Sequence, residues 1–225
     1  MVRNERCAVG NHKKDSERYN PWKYSTTKHS SILSECPDCK LLDDAELWAL
    51  YEFYVLHSPC EKTSCQGRPF ERYGWSGSIR DTGLGSELEA AFTECKGQMI
   101  VPRGPVRIPR GDKLAVDLPR MFQLADFTDG PLLDVATERV AMRATSGSNS
   151  WLRLFRRIRN CLAHGRFEAV DPADGLGPSL IMEDRDANNI TARMVLRLQT
   201  LLKWREIVER GPTIAVSPAE VSRSE

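Results

Sequence analysis

The chain has no long apolar run. Nothing in its 225 residues approaches the roughly 18 to 20 consecutive apolar positions of a membrane helix, so no membrane partner is expected. The opening MVRNERCAVGNHKKDSERYN has basic residues with no apolar core behind them, so a secretory leader is not expected either. There is no even set of cysteines. Seven are scattered along the chain, which fits free thiols in a reducing, cytoplasmic setting better than a disulfide framework. Net charge is nearly absent, at +1, so a nucleic-acid partner would have to be held by a local patch. The glycines of SGSIRDTGLGS lack a preceding strand and the spacing of a nucleotide loop, and no internal repeat is visible.

What is present is globular: 40% hydrophobic and 28% charged residues. Residues 1–40 are polar and aperiodic and read as a flexible arm. Residues 41–111 form a helical and loop region of unknown role. Residues 112–210 read as a compact helical bundle, and 211–225 as a disordered tail. A helix is expected after Asp43, which has Glu46 in capping-box spacing and Leu47, Leu50, Tyr51 and Tyr54 on its stripe. A second is expected from Ser86, with Glu89 three residues on. GQMIVPRGPVRIPRG, broken by Pro and Gly, allows extended chain or an edge strand at best.

Further helices are expected around Met121, Phe122, Leu124 and Ala125 behind Asp117, over Leu132 to Val140, and from Asn149 to Ala163. RFEAV and PSLIMED, around DPADGLG, suggest a β-hairpin. The longest helix is expected to run from Asn188 or Asn189 to near Glu209. Its Ile190, Met194, Val195, Leu198, Leu201, Leu202 and Val208 span an arc of about 140°. The expected fold is therefore mainly α: an up-and-down helical bundle with a small β-hairpin before its last helix, plus an irregular helical N-terminal region.

The stretch RRIRNCLAHGRF, residues 156 to 167, carries the chemistry. With Trp151 at zero and about 100° per residue, Leu154, Phe155, Ile158, Cys161 and Leu162 share one arc. Arg153, Arg156, Arg157, Asn160 and His164 share the opposite one. Arg159 stands near the margin, about 140° from His164, so the two meet only through the reach of the long arginine arm, a distorted helix end or a second chain. Gly165 suits the left-handed position that ends a helix. A histidine imidazole can take a proton from a ribose 2′-OH or return one to a leaving 5′-oxygen. A guanidinium can hold the phosphate and stabilise its growing charge, and Asn can orient either group. Such a reaction needs no metal or other cofactor. A helix end with Arg and His facing its dipole is the plainer alternative.

RNCLAH, with Arg159, Asn160 and His164, resembles the R-x4-6-H signature of HEPN domains in its common form with Asn after Arg. The amphipathic helix before it and ITARMVLRLQTLLKW after it agree. The resemblance covers about residues 112 to 210. It implies a helical bundle and a metal-independent endoribonuclease that acts as a homodimer, in a toxin–antitoxin or phage-defence setting, with an antitoxin or other regulatory protein as partner. It implies His164 as acid/base, Arg159 as phosphate ligand and Asn160 as orienting residue. Arg153, Arg156, Arg157 and Arg166, together with Arg159, form the densest basic cluster of the chain; a solvated helix face is the usual explanation, and the position beside His164 points to RNA phosphates. The alternative is a catalytically inactive module of the same kind that binds RNA or protein. In that case Arg159 and His164 would pair with internal acids such as Glu183 or Asp184. Two cysteine pairs, Cys36 with Cys39 and Cys60 with Cys65, have the residue types of a structural zinc site. The first pair has zinc-knuckle spacing but the second, with four residues between, is loose, so free thiols are favoured, and Cys7 and His12 do not strengthen the case.

Overall fold

The capping box behind Asp43 forms as the spacing predicts. The Asp43 carboxylate accepts the Glu46 N–H at 2.7 Å, and Glu46 Oε2 accepts the Asp43 N–H at 3.1 Å. The helix it opens, α1, spans Asp44–Leu50 and continues as a π-helical stretch, Tyr51–Leu56, closed by the His57 N–H on the Glu52 carbonyl at 2.8 Å. The structure is a computed structural model that describes residues 31–34, 40–60, 69–75, 82–101, 106–107, 113–114, 122, 127, 133–142, 149–186 and 189–212. The remainder of the arm, the tail beyond Pro212, and Asp117, Met121, Leu124, Ala125 and Leu132 lie outside the described residues.

Three more α-helices follow: α2, Leu84–Glu94; α3, Ser150–Ala163; and α4, Leu198–Arg210. The second starts earlier than Ser86, behind a left-handed Gly83 with no side-chain cap. A single 3-10 turn, Phe70–Tyr73, lies between α1 and α2. The strands are β1 Gln98–Ile100, β2 Val106–Arg107, β3 Lys113–Leu114, β4 Arg139–Met142, β5 Phe167–Val170, β6 Ser179–Asp186 and β7 Asn189–Arg197. Five of them make one mixed sheet in the order β1-β4-β7-β6-β5, and β2 pairs with β3 separately. β1 runs parallel to β4 and takes an edge, as its proline-broken sequence suggests, while the other neighbours are antiparallel. The expected hairpin is present as β5 and β6.

This is an α/β fold, and the expected up-and-down helical bundle is wrong. The error has two sources. The longest expected helix is really strand β7 followed directly by α4. Its arginines 193 and 197 are four apart, a spacing that fits one face of a helix and one face of a strand equally well. In the sheet the odd positions Arg193, Val195 and Arg197 face one way and Ala192, Met194 and Leu196 the other. A bulge between Asp184 and Arg185 returns Ile190 to the Val195 side. The second source is β4. All four of its residues are buried, so it shows no alternation, and the expected helix from Leu132 to Val140 is instead a turn leading into this strand.

The four α-helices described above cover one face of the sheet. Leu50, Phe53 and Tyr54 of the first helix and Leu84, Leu88 and Phe92 of the second join Phe155, Ile158, Leu162 and Trp204 over Val140, Met182, Met194 and Leu196 in one core. Residues from both halves of the sequence thus share this core. The other face is more polar. Arg193 lies 4.7 Å from the centre of the Phe122 ring, and Ile32 and Leu33 pack beside Ile181 and Val195. Ser31 and Ile32 hydrogen-bond to Glu183, and Ser34 bonds to Glu168 through both its N–H and its hydroxyl.

Candidate functional site

Asn149 starts α3 by accepting the N–H groups of Trp151 and Leu152, the N-cap role its residue type favours. The helix then runs without interruption to Ala163. It ends in a Schellman turn. The Gly165 N–H reaches the Leu162 carbonyl at 3.2 Å, and the Arg166 N–H reaches the Cys161 carbonyl at 2.8 Å. Gly165 has φ +61°, the left-handed conformation expected of it. His164 is the last residue before that glycine, with φ −105° and ψ 7°, and is exposed.

The motif residues separate into two groups. Arg159 and Asn160 are together, with Arg159 Nη1 donating to Asn160 Oδ1 at 3.2 Å. The Arg159 Nε is buried without a hydrogen-bond partner. His164 lies beyond them, at the cap just past the last helical residue, Ala163. Among the described residues no hydrogen bond joins Arg159 to His164 within one chain. Neither, among the described residues, pairs with an internal acid. Glu183 is occupied by Arg185 and by Arg193, the latter at 3.3 Å, and Asp184 by Arg157 and Thr191.

No protein-family model, curated protein or solved structure matches this chain.

The arginines of the stripe also divide. Arg157 turns inward to form an ion pair with Asp184 and donates to the Thr191 hydroxyl at 2.9 Å, so it is committed to holding α3 on the sheet. Arg156 is exposed, and Arg166 gives one hydrogen bond, at 3.2 Å, to the Arg185 carbonyl. Among the described residues, Arg156, Arg159 and Arg166 have no carboxylate partner. By contrast, Arg139, Arg185, Arg193, Arg197, Arg205 and Arg210 each pair with an Asp or Glu. Burial, with Arg157 and Arg156 close by, pushes the Arg153 guanidinium below its ordinary value. The charge on this helix is thus concentrated and only partly neutralised.

Two contacts at the site have no signal in the motif. The Tyr51 hydroxyl donates to the Leu162 carbonyl at 2.6 Å, from a residue 111 positions away. The Cys60 thiol donates to the Leu152 carbonyl at 3.3 Å, near Arg156 and Arg159, and burial pushes its pKa up to about 11. A thiol held protonated is a poor zinc ligand. Cys36, Cys39, Cys65, Cys7 and His12 lie outside the described residues. Among the described residues no group of three or more His, Cys, Asp or Glu has metal-site geometry, and no helix is long and apolar enough to cross a membrane.

Proposed function

We propose that the end of α3 binds RNA phosphates and that the chain is a metal-independent endoribonuclease with HEPN-type chemistry. One observation carries this reading. Among the described residues Arg156, Arg159 and Arg166, on the second half of α3 and just beyond it, lack carboxylate partners while the buried Arg193 and Arg197 are paired, and His164 at the helix end is exposed. Unpaired guanidinium groups are anion sites, and phosphate is the anion their planar fork suits best.

In the proposed reaction the ribose 2′-OH loses its proton to His164 and its oxygen attacks the adjacent phosphorus. The bond from phosphorus to the 5′-oxygen breaks, and that oxygen takes a proton from an imidazolium. The products are a 2′,3′-cyclic phosphate and a free 5′-hydroxyl. Arg159 stabilises the phosphorane charge and Asn160 orients Arg159 through the contact already formed. Because α3 runs unbroken from Ser150 to Ala163, with Arg159 about 140° round it from His164, Arg159 of one copy serves His164 of a second, so the working unit is a homodimer in this reading. A toxin–antitoxin or phage-defence setting, with a restraining protein partner, follows from the motif resemblance.

A second reading is an RNA-binding module that does not cleave. The engagement of the Arg159 guanidinium by Asn160 favours it. Incubating the pure protein with single-stranded RNA in EDTA separates the two. The nuclease reading expects cleavage that Arg159→Ala and His164→Ala abolish while both variants remain folded. The binding reading expects salt-dependent binding, no cleavage, and indifference to His164.

A further inference from the structure

Tyr51 is the first residue of the π-helical stretch, where one extra residue per turn changes the direction of the side chains that follow. Such insertions are costly relative to regular helix and recur at functional sites. This one has a visible consequence. It lies against α3, and the two elements run antiparallel. Tyr51 meets Leu162 near the end of α3, the Tyr54 ring meets Phe155 at mid-helix with centroids 5.5 Å apart, and Cys60 meets Leu152 near its start.

We infer that Tyr51 is the positioning residue for His164. Its hydroxyl donates to the Leu162 carbonyl, the same oxygen that accepts the Gly165 N–H of the Schellman turn. His164 lies between those two residues, so the Tyr51 bond and the Gly165 bond bracket it. The imidazole itself is exposed and makes no side-chain hydrogen bond among the described residues. Its placement therefore depends on the backbone of this one turn. Tyr51 is half-buried, with its ring packed against the main core, so the hydroxyl is held on a fixed arm. A tether 111 residues distant in sequence thus fixes a helix end that would otherwise fray.

This inference rests on the proposed role of His164, and its test is built to fail separately. Tyr51→Phe keeps the ring and removes only the donor. Tyr54→Phe is the matched control. It loses a buried tyrosine hydroxyl bond, at 2.8 Å to the Leu201 carbonyl on α4, and touches nothing at the end of α3. Both variants are made in the full chain and compared by NMR of the His164 imidazole and by amide exchange at Gly165 and Arg166. Tyr51→Phe should shift or broaden the imidazole signal and accelerate those two amides at least ~5-fold, with Tyr54→Phe like wild type. In RNA cleavage, Tyr51→Phe alone should lower kcat about ten-fold at unchanged KM, the effect of a misplaced proton-transfer group. If Tyr51→Phe matches Tyr54→Phe in the imidazole signal and the amide rates, the inference is overturned. If wild-type protein cleaves no RNA, the nuclease reading fails by itself, and the NMR comparison still decides whether Tyr51 positions His164.

Discussion

Arg156 and Arg157 are neighbours on α3 with opposite environments, and substitution should separate them. Arg157→Ala leaves the buried Asp184 carboxylate without its cation and should cost about 3 kcal/mol in urea unfolding. Arg156 is exposed without an acid partner, so Arg156→Ala should change stability by less than about 0.5 kcal/mol. It should nevertheless weaken RNA binding and reduce the salt slope by roughly one. The cysteines divide in the same way. Burial pushes the Cys60 thiol up to about 11 and the Cys161 thiol well above its usual value, whereas Cys95 is exposed. Iodoacetamide at neutral pH should therefore label Cys95 in the folded protein and spare Cys60 and Cys161 until unfolding, as peptide mapping would report.

At the scale of elements, the end of α3 depends on one backbone conformation. A Cβ on Gly165 would meet nothing within 4 Å, so Gly165→Ala tests the left-handed φ alone and should cost about 1 kcal/mol in chemical denaturation. Local chemistry of this kind was legible in the sequence. The Asp43 capping box, the Asn149 cap, the Gly165 terminus, the edge strand at Gln98 and the β5–β6 hairpin all follow from residues a few positions apart. What could not be read there depends on distant partners. Arg193 looks like a solvated helix position until Glu183 is found across the strand pair. Arg157 belongs to an outward stripe until Asp184, 27 residues on, draws it inward. Tyr51 and Tyr54 read as further positions of a helical stripe, and neither the π-helical register nor the Tyr51 tether shows in it. Of the site, the motif helix and its exposed end were legible; which arginines remained free was not.

For the whole molecule, acid should act through carboxylates that the fold holds ionised. The Arg197 hydrogen bond lowers the Asp174 pKa, and bonds led by Thr137 lower that of Asp134. A pKa lowered on folding contributes stability that is present above the unfolded value and lost as pH falls through the folded one. That loss begins below about pH 3.9. Melting temperature should therefore drop in that range, and Asp174→Asn should flatten the drop. If two copies share each site, mixing Arg159→Ala with His164→Ala protein should restore about a quarter of wild-type cleavage, since half the dimers are mixed and each holds one intact site. The most direct measurement of the central claim is the chemistry of the RNA ends that wild-type and His164→Ala protein leave in EDTA. The account predicts 2′,3′-cyclic phosphate and 5′-hydroxyl ends from wild type, with a rate at least ~100-fold lower in His164→Ala. Intact RNA with wild-type protein, or undiminished cleavage by His164→Ala, would contradict it.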